Sequence, residues 1–313
     1  MRSIAEPRRR HCLPLKRGKV RNDARQVLMT TAKQRRIMEA LHTKAVIDPA
    51  QEVAFRVQFL KDYLLTSGRN GFVLSISGGQ DSALAGRLCQ LAVEELCTQT
   101  GKDYLFIALR LPYGIQRDEE DAERALEFIA PDRIYTIDIQ PAVDRAIASF
   151  EKATGFSMTD YNKGNQKAQE RMTVHYRFAY QFHVLVVGTD HAAEAVVGFF
   201  TKYGDGGVDL TPLSGLTKHQ GRFLLHFLGA DERISTKPPT ADLLDMNPGQ
   251  LDEDELNLSY RVIDDYLGGK DVPDEVAQQI EQRYSATEHK RHGPVTPFDT
   301  WWKTEGGDES FHQ

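Results

Sequence analysis

The stretch Phe72-Val-Leu-Ser-Ile-Ser-Gly-Gly-Gln-Asp-Ser-Ala-Leu-Ala85 constrains this chain more than any other. Phe72 to Ile76 are apolar, aromatic or β-branched apart from one serine, the composition of a buried strand. Ser77-Gly78-Gly79 then turns the chain, and glycine lets a ligand approach the backbone closely. From Ser82 the pattern becomes helical, with Ala85, Leu88, Ala92 and Leu96 on one face. A helix that starts behind a glycine turn offers unpaired N–H groups and a partial positive charge, which suits phosphate. Ser77 and Ser82 add hydroxyl donors. Asp81 would repel phosphate unless a cation lay between them, so the motif predicts Mg²⁺ there. The spacing is not that of a Walker P-loop, because G-x-x-x-x-G-K-[ST] is missing.

The remaining sequence predicts the fold around this turn. Strands are expected at 104–109, 133–139 and 184–187, alternating with helices at 118–129, from Pro141, at 165–182 and at 192–200. Such alternation predicts an α/β fold: one Rossmann-like parallel sheet with helices on both faces. Helices are also expected at 33–42, 48–65, 218–228, 262–267 and 273–284, and polar loops at 159–164 and 201–207. The stretch 234–259 reads as long and irregular, which marks a functional or disordered loop. With 313 residues the chain has room for one large core. Residues 1–32 stand apart as a basic extension carrying Arg8-Arg-Arg10, Lys16-Arg17, Lys19, Arg21 and Arg25. They have no apolar core, so a secretory signal is not expected. Residues 33–313 then form the catalytic domain.

Charge and cysteine content narrow the function. Lys and Arg number 39 against 45 Asp and Glu, a net charge of −6, which disfavours a nucleic-acid partner. No apolar run approaches the roughly 20 residues that span a bilayer, so no membrane partner is expected. Cys12, Cys89 and Cys97 make no C-x-x-C pair, which argues against a zinc or dithiol site and suits a reducing cytoplasm.

Ser77-Gly-Gly-Gln-Asp-Ser82 resembles the pyrophosphate-binding loop of the ATP pyrophosphatases. Further stretches extend the likeness: Leu111-Pro-Tyr-Gly114 with Gln116, Gly188-Thr-Asp-His-Ala-Ala-Glu194, Gly198-Phe-Phe-Thr-Lys-Tyr-Gly-Asp-Gly-Gly207, Pro239-Thr-Ala-Asp-Leu243 and Thr287-Glu-His-Lys290. Together, from about residue 33 to Trp302, they resemble the ammonia-dependent NAD synthetases. That resemblance implies an adenine nucleotide α-hydrolase-like sheet, cytoplasmic location and a homodimer with deamido-NAD lying across the subunit interface. It also implies a ligase reaction in two steps. The nicotinate carboxylate of deamido-NAD attacks the α-phosphate of ATP, giving an adenylate and pyrophosphate. Ammonia then displaces AMP and leaves the amide of NAD.

Matched position by position, the resemblance implies an ATP cradle of Ser75, Ile76, Ser77, Gly78, Gly79, Gln80, Asp81 and Ser82, with Asp81 and Glu194 as Mg²⁺ ligands. Arg110 and Gln116 match the adenosine pocket, and Thr189, Lys218 and Thr240 match other ATP contacts. Lys202, Asp209, His289 and Lys290 match contacts to deamido-NAD. Asp205 is the candidate for holding ammonium and taking its proton, with Lys202 and Lys218 as its catalytic companions. One departure stands out. Many members carry Arg in a Lys-Ala-Arg-x-Arg-Met run, where this chain has Lys167-Ala-Gln-Glu-Arg-Met172. Gln169 cannot supply a guanidinium fork, so either Arg171 substitutes or the contact is weaker or water-mediated.

The long loop at 234–259 resembles one that closes over the site, which would shield an adenylate from water. Glutamine-dependent relatives add an amidase domain with a nucleophilic cysteine. This chain has neither the length nor the cysteine setting for one, so free ammonia is the expected nitrogen source. Two other readings stay open at this point: a tRNA-modifying ATP pyrophosphatase, and a non-catalytic nucleotide-sensing module.

Overall fold

A computed structural model describes residues 31–114, 119–239 and 251–303. Gln116, Thr240, residues 1–30 of the basic extension and residues 240–250 of the long loop lie outside the described residues. The chain enters through α1 (Ala32–Ala40), capped by the Thr31 hydroxyl, and α2 (Pro49–Ser67). Asp48 caps α2 by accepting the Gln51 N–H at 2.9 Å, and left-handed Gly68 ends it. Then come β1 (Gly71–Ser75), α3 (Gln80–Thr100), β2 (Leu105–Arg110), α4 (Glu119–Ile129) and β3 (Arg133–Thr136). The chain continues through α5 (Gln140–Thr154), α6 (Asp160–Phe182) and β4 (Leu185–Val186). The last third is helical: α7 (Ala192–Val197), α8 (Lys218–Phe227), α9 (Glu232–Thr236), α10 (Asp252–Leu256), α11 (Tyr260–Leu267), α12 (Asp274–Ala286) and α13 (Glu288–Arg291).

The four described strands are all parallel, in the order β3-β2-β1-β4. Side chains alternate across the sheet as a period of two demands. Phe72, Leu74, Phe106 and Ala108 point to one face, where α2, α3 and α8 cover them with Leu60, Leu88 and Leu224. Val73, Ile107 and Leu109 point to the other, under Val143 of α5 and Val174 of α6. Each fully buried residue of this size contributes about 1.5–3 kcal/mol, so the sheet is a rigid base. A smaller cluster joins α1, α7, α11 and α12 around Ile37, Val196, Ile263 and Tyr266. Strand order reverses beside β1: the chain steps outward to β2 and β3, then returns to place β4 on the other side. That is a switch point, where ligands bind at the carboxyl ends of strands in open α/β sheets. The glycine turn after β1 lies there.

Four expectations need correction. Residues 160–164, expected as loop, are the first turns of α6. Thr159 caps that helix by accepting the Asn162 N–H, and Gly164 sits in its buried face. The strand expected over 133–139 ends as a regular ladder at Thr136. Its hydrogen bonding continues through the Ile137 and Ile139 N–H groups to the Arg110 and Pro112 carbonyls. The helix expected to Phe200 stops at Val197, because Gly198 takes a left-handed cap. The long irregular stretch carries short helices, α9 and α10, at its two ends.

Candidate active site

The turn after β1 is built for close approach. Gly78 has φ +82°, and a Cβ there would lie 2.6 Å from the Ala122 nitrogen at the start of α4. Gly79 occupies the cap position of α3 with no side-chain cap, so the first turn keeps N–H groups for a ligand. Ser77 and Ser82 brace the loop, their hydroxyls 3.2 Å apart, and Ser82 also donates to the Gly79 carbonyl at 3.1 Å. The Gln80 amide donates to the Lys237 carbonyl at 2.8 Å, tying the loop to the segment after α9.

This loop opens into a cavity of about 370 Å³. Asp81 from α3, Glu194 from α7 and Lys218 from α8 meet on its wall. The Lys218 ammonium lies 2.7 Å from Asp81 Oδ2 and 3.8 Å from Glu194 Oε1. Lys218 is held from behind. Thr217 and Gln220 form a reciprocal cap on α8, and Asp264 of α11 accepts the Lys218 and His219 N–H groups at 3.0 and 2.7 Å. Burial disfavours the ammonium, but Asp81 and Glu194 outweigh it and hold the Lys218 pKa above its usual value. Burial likewise disfavours the Asp81 carboxylate, yet Lys218 and His191 keep its pKa below normal. Lys218 and Asp81 are therefore charged. Two carboxylates, one ammonium and the His191 imidazole thus share the centre.

The donor chemistry fits a hard divalent cation. Asp81, Glu194 and His191 present ligand atoms all within 4.8 Å of one another. Two carboxylates are the oxygen donors that Mg²⁺ takes alongside substrate phosphates.

Asp205 lies further along the same cavity, in the turn after Phe200. Its Oδ1 accepts the Thr201 N–H at 2.9 Å. Water reaches it through the open cavity, but protein surrounds it on the other sides. That surrounding mass, with Glu194 adding like charge, pushes its pKa up to about 6. Lys290 stands near, its ammonium donating to the Gly198 and Phe200 carbonyls at 2.9 Å each.

The structure gathers much of the expected site. Ser75, Ile76, Ser77, Gly79, Gln80, Asp81 and Ser82 face the cavity, as do Thr189, Glu194, Asp205, Lys218 and Lys290. Arg171 faces it too, its Nε donating to the Leu111 carbonyl at 3.2 Å. Gly78 supports the loop from behind. Arg110 is buried at the end of β2 and pairs with Glu119 through both terminal nitrogens, at 3.0 and 2.8 Å. Lys202, Asp209 and His289 lie away from the cavity wall. Lys202 donates to the His289 carbonyl at 2.6 Å, and Asp209 accepts from the Val186 N–H and the Tyr176 hydroxyl.

Sequence reasoning missed four residues. His191 is buried between Asp81, Glu194 and Lys218. The Tyr260 ring lies under the Lys218 ammonium at 4.7 Å, and its hydroxyl donates to Asp252 at 3.3 Å. Burial, with Glu194 and Asp205 nearby, raises the Asp190 pKa to about 7. His191 and Asp190 sit in one short motif with Glu194, three and four residues before it; Tyr260 and Asp252 converge from distant segments.

A parallel sheet, a phosphate-ready loop at its switch point and a cation-seeking acidic centre define a nucleotide-binding α/β enzyme. The sequence profile of the NAD synthase family matches residues 52–294, and the chain belongs to that family. It is 58% identical over 270 residues to the NH3-dependent NAD+ synthetase of Bacillus cereus (strain ATCC 10987 / NRS 248), covering 86% of this chain and 99% of that protein. Its fold is similar to the crystal structure of NAD+ synthetase from Burkholderia pseudomallei, with a TM-score of 0.72 and 45% identity over 83% and 96% of the two chains. NMN synthetase from Francisella tularensis is also similar, with a TM-score of 0.71 and 35% identity over 81% and 100%.

Proposed function

We propose that this chain is a ligase that makes NAD from deamido-NAD, ATP and ammonia, releasing AMP and pyrophosphate. The observation that carries the reading is the meeting of Asp81, Glu194, Lys218 and Asp205 on one cavity at the mouth of the Ser-Gly-Gly-Gln-Asp-Ser loop.

The chemistry follows from the charges. ATP lays its phosphates on the N–H groups of α3 and the hydroxyls of Ser77 and Ser82. Mg²⁺, when bound by Asp81 and Glu194, supplies the positive charge that lets carboxylates and polyphosphate share one site. Lys218 turns its ammonium toward the phosphates and stabilises charge as it develops there. The nicotinate oxygen attacks the α-phosphorus, the bond to pyrophosphate breaks, and an acyl adenylate remains. Ammonia attacks the acyl carbon, the bond to AMP breaks, and the surplus proton goes to Asp205. A carboxylate with a pKa of about 6 suits that task near neutral pH. Arg171 takes the place that Gln169 cannot fill. Residues 33–313 act as one catalytic domain.

The working unit is a homodimer joined at the β3 edge. All four residues of β3 are exposed, and Ile134, Tyr135, Phe150 and Tyr180 present apolar surface beside it. An uncovered sheet edge with aromatic neighbours is a pairing surface. Asp209 lies at the opposite edge, bonded to Val186 of β4 and to Tyr176 of α6. Among the described residues no helix is long and apolar enough to cross a membrane. The free thiols of Cys89 and Cys97 agree with a reducing cytoplasm.

The test is AMP and NAD production from ATP, Mg²⁺ and deamido-NAD, with ammonium or glutamine as donor. One AMP per NAD with ammonium is expected. Turnover with the mononucleotide in place of the dinucleotide would shift the reading toward the NMN synthetase relative. No amide product from either would sink it.

A further inference from the structure

His191 is almost fully buried, with 2% of its surface exposed, in a place the reaction scheme does not use. Its two nitrogens face different partners. Nδ1 accepts the Glu194 N–H at 3.4 Å and so caps α7, the helix that carries Glu194. Nε2 lies 3.4 Å from Glu194 Oε1 and 3.6 Å from Asp81 Oδ1. With Nδ1 committed as an acceptor, the neutral ring must carry its proton on Nε2. In that tautomer Nε2–H faces both carboxylates. The Lys218 ammonium at 3.4 Å is therefore a second donor beside it, not its partner. Tyr260 packs edge-on against the imidazole at 6.2 Å and fixes the plane of the ring.

This geometry decides between two roles. A metal ligand needs the Nε2 lone pair, which would move the proton to Nδ1 and set it against the Glu194 N–H. We propose that His191 is a positioning residue for the cation site: it holds Asp81 and Glu194 as a pair through Nε2–H and is not itself a ligand. The proposal rests on the NAD-forming reading only in taking these carboxylates as the cation's holders. Groups that orient metal ligands in this way typically contribute 10–100-fold in metal affinity.

The experiment measures Mn²⁺ binding by electron paramagnetic resonance, using the full chain with α,β-methylene ATP, and is independent of NAD formation. His191→Asn keeps an oxygen to cap α7 but loses the reach of Nε2. His191→Gln restores an N–H at that reach. Mn²⁺ affinity should fall about 10–100-fold in His191→Asn and return to within a few-fold of wild type in His191→Gln. Pulsed spectra of the wild type, which need no variant to fold, should lack the nitrogen coupling of a bound imidazole. That coupling would overturn the proposal. So would wild-type affinity in His191→Asn, which would leave His191 only a helix cap, or failure of Gln to restore binding. Loss of NAD synthesis in the wild type would overturn the reaction reading and leave this one standing on the Mn²⁺ data.

Discussion

Replacing Lys218 with Met tests whether its charge holds the site together before any substrate arrives. Removing an active-site charge often raises stability, because such groups are buried against the interest of the fold. Lys218 should behave in the opposite way. Its ammonium is the closest countercharge to Asp81, at 2.7 Å, and also faces Glu194 at 3.8 Å. Breaking a fully buried pair from one side costs about 3–5 kcal/mol. The Asp81 and Glu194 side chains keep 23% and 17% of their surface, so water and protonation recover part of that. The expected loss is therefore about 1–3 kcal/mol. At about 2–4 °C per kcal/mol, the Tm should fall by roughly 2–12 °C. The sign of the pH dependence follows. Asp81 has its folded pKa depressed by Lys218, so its stabilisation is present above the unfolded pKa and is lost as pH falls through the folded value. In Lys218→Met that acid-side loss should shift to higher pH.

Calorimetry with and without Mg²⁺ separates the charge from the volume of the side chain. Mg²⁺ should raise the Tm of Lys218→Met more than that of the wild type, since it replaces the missing charge without competing with an ammonium. Adenylation, followed by pyrophosphate release, should fall about 10²–10³-fold. A Tm equal to or above wild type, with no extra response to Mg²⁺, would refute the charge-balance reasoning even if activity were lost.

Three other outcomes are expected. Gly78→Ala forces a side chain into φ +82° and against the Asp121–Ala122 backbone at 2.6–2.8 Å; strain and overpacking should together remove about 2–5 kcal/mol in urea unfolding and weaken ATP binding. Asp205→Asn should leave pyrophosphate release intact but lower ammonia use by about 10²-fold at constant free ammonia. The wild-type ammonia step should decline as pH falls below about 6, where the carboxylate protonates, and the variant should lack that limb. Because the folded pKa of Asp205 is raised, its charge opposes folding near neutral pH, so the Asn variant should be no less stable. Ile134→Asp, on the exposed edge of β3, should halve the mass seen by sedimentation equilibrium and weaken deamido-NAD binding.

How far the sequence revealed this molecule depended on whether a signal was local. The β1–turn–α3 unit was fully legible, because strand period, two glycines and helix period adjoin within 30 residues. Asp81 and Glu194 each follow a readable strand, so their approach to one crevice could be expected. The start of α6 was hidden, since Tyr161, Asn162 and Gly164 carry poor helical propensity, and the Thr159 cap and the burial of Gly164 account for it. Tyr260 and Asp252 were invisible for another reason: their pairing beneath Lys218 joins α10, α11 and α8, and no spacing along the chain encodes it. His191 stood between these cases, legible as three residues from Glu194 but not as the group between two carboxylates.

The same locality explains how a chain of net charge −6 can gather two polyanions. Net charge sets long-range drift, whereas binding depends on cations already fixed at the wall. Each cation on this cavity is held by an oxygen of the fold: Lys218 by Asp81, Lys290 by two carbonyls, Arg171 by Leu111 and Lys237 by Asp121 at 2.9 Å. Such groups lose little freedom when phosphate arrives, because one acceptor simply replaces another. The acidic surface then discourages other polyanions from lingering, nucleic acid among them. A dinucleotide able to reach the loop, the lysines and Arg171 together exchanges all these contacts at once. Selectivity for a compact pair of nucleotides therefore resides in where the cations are tethered and not in how many the chain carries.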